Sequence, residues 1–402
     1  MSGVRGWAAV TGVAERKPTR WTDGETTIDM FARIGVAAIA DAGLQLGDID
    51  GLICHPMGGV PMLVPSTLLE EMGIRANFAE TVDLGGATGA GMVWRAAAAI
   101  AAGQARAVLC VTASRRQKPR ERAPGTKESG HRSVGGRDTS AFMEFEVPYG
   151  NVGANVGYAM IAQRYLHEQG ATPEQLAKIA VHQRDNACAN PDAYFYGQPI
   201  TIDDVLSSEV VADPLHFLEI VMPAAGAAAL VVVHPDLARE WEAAQGKPAA
   251  WLLGAGECTT HKTITYAPSL DDTAIKPAAD KAFAQSGVTR SQIKLASLYD
   301  CYTITVLVTL EEAGFCARGG GGRFVDEHDL RWNGDFPLNT HGGQLSFGQP
   351  GLAGGMSHVT EAVRQVQQRG DGRQVPGLEL AFVNGNGGIM SEECALVLGT
   401  QP

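Results

Sequence analysis

The chain has 402 residues, 45% hydrophobic and 19% charged, the balance of an ordinary globular protein with enough material for one large core or two medium ones. A formal net charge of −12 excludes a general nucleic-acid binder, because such a chain repels phosphate unless its cations are concentrated. Seven cysteines without a Cys-x-x-Cys pair argue against a disulfide or zinc framework, and no stretch stays apolar for the ~18 residues of a membrane span, so a cytoplasmic protein is expected.

The first strand reads at "WAAVTG", Trp7 to Gly12, and a long helix follows over about Thr27 to Gly43. The segment from Val82 to Ser114 reads as a strand end, a glycine turn, an Ala-rich helix stopping at Gly103, and another strand. Many enzymes present a nucleophile at such a turn, yet this one holds no Cys, and its only hydroxyl is Thr88. Ala and Gly on every face of Gly89 to Ala102 also describe a helix buried all round, and close packing would by itself account for Gly85, Gly86 and Gly89. "SRRQKPRERAPGTKESGHRSVGGR", Ser114 to Arg137, carries eight Lys/Arg against two Glu and little apolar periodicity, so it is expected to be a loop. "PDLAREWEAAQGK", Pro235 to Lys247, follows an apolar strand with a polar helix and a linker.

Past that linker the pattern repeats. "WLLGAG" at Trp251 echoes Trp7 to Gly12, and "SGVTRSQIKLAS" at Ser286 echoes "AGLQLGDIDGLI" at Ala42. Trp7/Trp251, Gly12/Gly256, Gly43/Gly287 and Ile49/Ile293 share one offset, since 251 − 7, 256 − 12, 287 − 43 and 293 − 49 each equal 244. One register for four pairs implies a duplication. The second half then reads a helix over about Asp272 to Gly287, a buried helix over Gly354 to Val366 and a strand over Leu378 to Gly385. Two halves, 1–240 and 248–402, are expected, each an α/β unit with a mostly parallel, helix-covered sheet.

These residues resemble the thiolase superfamily, in its sterol-carrier-protein-type or lipid-transfer branch. The resemblance spans nearly the whole chain and rests on "YDCYT" (Tyr299 to Thr303), "EEAGFC" (Glu311 to Cys316), "LNTHGGQLSFGQPG" (Leu338 to Gly351), "HVTEAVRQ" (His358 to Gln365) and "VNGNGG" (Val383 to Gly388), with "PYG" (Pro148 to Gly150) and "ACANPDAY" (Ala187 to Tyr194) in support. It implies an α/β, five-layered αβαβα fold of two similar halves that dimerises through strands of the N-terminal sheet. At the four positions where the family keeps its chemistry, the nucleophilic Cys is matched by Gly86, the second Cys by Val383, an Asn or His by Tyr299, and the His of a Gly-His-Pro motif by Gln349. The seven cysteines lie elsewhere and read as buried small apolar residues, with Cys301 set apart by its nearness to Tyr299.

Without a thiolate at the turn, acyl transfer through an acyl-enzyme is disfavoured. Backbone N–H groups at the glycine turns Gly85-Gly86 and Gly385-Asn386-Gly387 still supply an oxyanion hole, so a reaction through a CoA-thioester enolate stays open. The expectation is retro-aldol cleavage of a 3-hydroxyacyl-CoA, CoA being part of the substrate rather than a cofactor, with no metal. A member of this branch, the aldolase that trims steroid side chains, resembles the chain in lacking the cysteines and works with tyrosines; Gln349 stands in the region where its second tyrosine would be sought. Tyr299 is then the candidate base or proton relay, His341 its partner and Gln349 an orienting residue, with Gly86, Gly385 and Asn386 holding the oxyanion. Tyr299 also reads as a strand-end core aromatic and His341 as a backbone-bonded turn residue. In the family the basic insertion helps form the CoA entrance, which assigns Arg115, Arg116 and Lys118 to the CoA phosphates; a solvated loop is the alternative. Two other functions compete: an atypical acyltransferase using Cys301, and a non-catalytic acyl-CoA or lipid-binding subunit. The resemblance further implies a homodimer and a small zinc-ribbon/OB-fold partner.

Overall fold

A computed structural model describes residues 3–60, 62–118, 140–270 and 273–402. The N-terminal half runs β1 (Ala9–Glu15), α1 (Thr27–Asp41), β2 (Gly51–Cys54), α2 (Val64–Met72), β3 (Phe78–Thr81), α3 (Thr88–Ala101) and β4 (Ala107–Ser114). An insertion of α4 (Ala154–Gln169), α5 (Pro173–Cys188), α6 (Ile202–Ser207) and the hairpin β5 (Val210–Ala212) and β6 (Leu215–His216) precedes β7 (Gly226–Val233) and α7 (Pro235–Gln245). The C-terminal half runs β8 (Ala250–Thr259), α8 (Ile275–Ser286), β9 (Leu295–Leu298), α9 (Thr303–Glu312), α10 (Gly321–Glu327), α11 (Gly354–Val366), β10 (Leu380–Gly387) and β11 (Glu392–Gly399).

Nine strands hydrogen-bond in the order β3-β2-β4-β7-β1-β8-β11-β10-β9. The two halves are mirrored about the β1–β8 junction, where Ala9 faces Trp251 and Val10 faces Ala250. Outward from it, β7 matches β11, β4 matches β10 and β2 matches β9, while β3 has no counterpart. The expected mostly parallel sheets are corrected here. Among the described strands only β2–β3, β2–β4 and β9–β10 pair in parallel, and β7 and β11 are inserted antiparallel. The cause is invisible in composition: "GAAALVVV" of β7 is buried on both faces, and a wholly apolar strand reads the same in either direction.

The layers follow from which faces are apolar. Helices α3 and α11, buried on nearly every side, pack on each other and on strands of both halves, forming the middle layer. Helix α1 covers β1, β7 and β4 from outside, and α8 covers β8 and β11. A capping box between Thr26 and Asp29 starts α1, an interaction worth about 1 kcal/mol.

The repeated residues do the same work twice. A Cβ on Gly12 would stand 2.2 Å from the Ala38 carbonyl oxygen of α1, and one on Gly256 would stand 1.9 Å from that of Ala278 in α8. Gly43 and Gly287 end those helices with φ of +71° and +67°, in the left-handed region where a side chain is strained. Ile49 and Ile293 both turn into the core.

Candidate active site

The N-termini of the two middle-layer helices and the end of β10 converge with almost no side chain between them. A Cβ on Gly355 would fall on the Gly86 carbonyl, one on Gly387 on that of Leu84, one on Gly385 2.8 Å from Ala87 Cα, and one on Gly89 2.8 Å from Met356 Cα. The expected second glycine turn is corrected: residues 385–387 are the end of strand β10, and the chain turns only at 388–391. That changes which N–H groups are offered. Tyr299 N–H donates to Asn384 O at 3.1 Å, so by the two-residue repeat Asn386 presents its backbone to the same side, beyond the last residue of β9. Gly385 faces β11 instead, where its N–H belongs to the ladder. Gly85 supplies the positive φ of the first turn, +55°. The Thr88 hydroxyl donates to Gly85 O (2.6 Å) and accepts from Leu84 N (3.0 Å), so it staples that turn and is no nucleophile.

Tyr299 follows β9 and lies against the turn. A Cβ on Gly86 would stand 2.3 Å from its Cε2 and Cζ and 2.3 Å from Asn386 O. The phenol ring therefore occupies the space into which a side chain at position 86 would project. Its hydroxyl accepts from Gln349 Nε2 at 3.4 Å and also interacts with Gln344, and burial raises its pKa above the ordinary 10. At neutral pH it is a phenol, not a phenolate.

His341 is not brought to Tyr299 as a hydrogen-bond partner. It is buried, neither ring nitrogen has a partner among the described residues, and burial, with His358 beside it, holds its pKa well below 6.5. Its ring packs on Phe347 (5.2 Å) and edge-on against His358 (5.2 Å). The imidazole near Tyr299 is His358, at 5.8 Å between ring centroids, with Nε2 3.2 Å from Asp300 Oδ1.

A second tyrosine belongs to the cluster. Tyr158 of α4 donates to Gly388 O (3.1 Å), accepts from Asn386 Nδ2 (3.1 Å), lies beside the Cys301 thiol and stacks on Tyr302 at 4.3 Å. No local pattern marks it, since α4 reads as an ordinary helix and the contact spans 228 positions of sequence. Burial pushes all seven thiols upward, Cys54 to about 12, and Cys301 is raised first by burial and then by Asp300. None is poised as a thiolate. Cys188, Cys258 and Cys316 are only half-buried, which corrects their reading as core residues.

The basic segment divides. Arg116 stacks over the Trp21 ring at 4.5 Å and donates to Pro223 O at 2.7 Å, so its guanidinium is engaged within the protein. Arg115 and Lys118 are exposed, Lys118 3.8 Å from Asp23. Arg120, Arg122, Lys127, Arg132 and Arg137 lie outside the described residues. Among the described residues no group of three or more His, Cys, Asp or Glu is arranged to hold a metal, and no helix is long and apolar enough to cross a membrane.

Comparison with known proteins agrees with this architecture. Residues 256–400 match the family model for the thiolase C-terminal domain-like region. Over 94% of both chains, the protein is 35% identical to the steroid side-chain-cleaving aldolase of Thermomonospora curvata. It is 32% identical to the 17-hydroxy-3-oxo-4-pregnene-20-carboxyl-CoA lyase of Mycobacterium tuberculosis, over 98% of this chain and 100% of the other. The solved Ltp2-ChsH2(DUF35) aldolase superposes with a TM-score of 0.85 at 31% identity, covering 99% of this chain and 98% of that one. With the glycine convergence, the duplicated halves and these relatives together, the chain belongs to the thiolase superfamily, in its lipid-transfer, aldolase-type branch.

Proposed function

We propose that this protein is a CoA-thioester lyase that cleaves a 3-hydroxyacyl-CoA by a retro-aldol reaction, with Tyr299 as the proton shuttle. One observation carries the reading: a neutral phenol stands where a side chain at the helix-α3 turn would project, and no thiol is poised to be acylated. The thioester oxygen would sit before the N–H groups of Gly86 and Asn386, at the positive end of α3. The Tyr299 oxygen takes the proton of the β-hydroxyl as its own proton passes to Cα. The Cα–Cβ bond breaks, its electron pair goes through the thioester enolate to the new Cα–H bond, and a carbonyl forms at Cβ. The products are an aldehyde or ketone and a shortened acyl-CoA, and the phenol is regenerated. A neutral shuttle suits a buried tyrosine, which a resting phenolate does not. Gln349, donating to the same oxygen, would orient the hydroxyl, and exposed Arg115 and Lys118 would meet the CoA phosphates. The relatives at 35% and 32% identity are named for carbon–carbon cleavage, one of them of an acyl-CoA whose hydroxyl is β to the thioester.

The test is product analysis by mass spectrometry over a panel of 3-hydroxyacyl-CoA and 3-oxoacyl-CoA thioesters, alone and with a small zinc-ribbon/OB-fold protein, since the Ltp2-ChsH2(DUF35) relative has two components by name. Cleavage of hydroxy substrates is expected, with Tyr299→Phe lowering kcat about 10²- to 10⁴-fold at little changed KM. Acylation of Cys301 by a 3-oxoacyl-CoA would instead establish the acyltransferase reading. Binding without turnover in every condition would leave a binding subunit.

A further inference from the structure

The geometry points to Gln344 as a positioning residue that, held by the buried Asp300–His358 pair, aims the Tyr299 hydroxyl at the substrate. The inference rests on the reading of Tyr299 as shuttle and extends it to residues that touch no substrate.

Ser297, Asp300, Gln344 and His358 are all fully buried beneath the tyrosine, on three separate pieces of chain. The Asp300 carboxylate accepts the backbone N–H of Gln344 at 2.7 Å and of Leu345 at 3.4 Å, fixing the turn that carries Gln344. Gly343 admits that approach, because any Cβ there would lie on Asp300 Oδ2, and its φ of +60° is left-handed. His358 faces Ser297 Oγ through Nδ1 (3.3 Å) and, through Nε2, both Asp300 and the Gln344 amide nitrogen (3.3 Å). Gln344 also approaches the Tyr299 oxygen, in the sense that favours its anion, so its N–H end is turned toward the tyrosine. Its Oε1 has no partner among the described residues, and it faces Gly354, where a Cβ would stand 2.7 Å away.

A buried polar group left half satisfied destabilises the fold, so packing does not explain this arrangement. Chemistry does. With Gln344 and Gln349 both presenting N–H to the Tyr299 oxygen, the phenol proton finds no acceptor among these neighbours and is left for the substrate. If Gln344 turned over, its carbonyl would accept that proton and withdraw it from the shuttle. The Asp300 carboxylate, which accepts the Gln344 backbone N–H and faces His358 Nε2, holds the turn that carries the amide. The Gln349 contact, at 3.4 Å, is one a substrate hydroxyl would replace.

The experiment measures deuterium incorporation at Cα of the shortened acyl-CoA when the panel of 3-hydroxyacyl-CoA thioesters is cleaved in D2O, because the shuttle returns its own, solvent-exchanged proton to Cα as it takes that of the β-hydroxyl. Wild type should incorporate deuterium and Tyr299→Phe should not. Gln344→Leu and Gln344→Glu should each lose about ten- to hundredfold in the kcat of incorporation with KM changed less than about threefold. His358→Leu should match them, His358→Gln should recover most of the rate, and the Gln344→Leu/His358→Leu double variant should be no slower than either single one, as for residues acting as a unit. Thermal melts check that each variant is folded, with the Leu and Glu variants of Gln344 guarding against one of them failing. A wild-type protein that incorporates deuterium while Gln344 and His358 variants match it, or fall only through KM, would overturn the positioning role. A folded wild type that incorporates none would sink the Tyr299 reading itself.

Discussion

Restoring a cysteine at position 86 gives the sharpest trial of this site. The Cβ of Gly86→Cys would stand 2.3 Å from the Tyr299 ring and from Asn386 O, whereas carbon atoms pack at about 3.5 to 4.0 Å. The neighbours must therefore retreat by about 1.2 to 1.7 Å, the difference between those distances. One of them is a backbone oxygen in a strand paired on its other edge, which cannot rotate away as a side chain can. Overpacking typically costs about 1 to 3 kcal/mol, and a backbone obstacle puts this substitution near the upper end. Displacing a reacting hydroxyl by about 1 Å can lower kcat about a hundredfold. Urea unfolding of wild type, Gly86→Cys, Tyr299→Ala and the double variant closes a cycle. Because Tyr299→Ala removes one obstacle and leaves the other, the double variant should be more stable than the sum of the single losses, by a coupling of about 0.5 to 3 kcal/mol. Intact mass after acetoacetyl-CoA should show no acylation of Gly86→Cys. A Gly86→Cys protein that is as stable as wild type and still cleaves, or that acylates readily, would refute the packing on which the site rests.

Gly12→Ala and Gly256→Ala should each destabilise by about 3 kcal/mol or more, because both new methyl groups meet a helix carbonyl oxygen; urea titration should find similar costs in the two halves. Burial holds the Glu393 carboxyl well above 4.5, with one oxygen accepting from Asn384 Nδ2 and the other without a partner among the described residues. As pH rises past the unfolded value the unfolded chain releases this proton first, so the group's contribution is greatest in acid and is lost with rising pH. Glu393→Gln should accordingly gain stability over wild type at about pH 8 and little at about pH 4, read from urea midpoints. Arg115→Ala and Lys118→Ala should raise KM for a CoA thioester more at low than at high salt, whereas Arg116→Ala should lower the melting temperature by removing its Trp21 and Pro223 contacts; equal effects of all three would merge their roles.

Periodicity, glycine spacing and the 244-residue offset determined the duplication, the extents of α1, α3, α8 and α11, and the departure from a cysteine nucleophile. They are local or repeated signals: α11 spans the expected Gly354 to Val366, and the paired glycines mark strand-to-helix contacts made twice. Strand direction was not determined, because apolar runs such as β7 carry no polarity. Nor were the surroundings of Tyr299. Its motif neighbours Asp300, Gln344 and His358 stood in quoted segments without assigned roles, and Tyr158 stood in none. His341, the expected partner, packs against His358 and offers Tyr299 no hydrogen bond. The 385–387 segment looked like a turn for its glycines, yet those glycines serve close approach to α3 within a strand. Which side chain faces which is set by how α3, α4, α11 and β10 meet from four distant parts of the chain, and a single sequence has no term for contacts made only on folding.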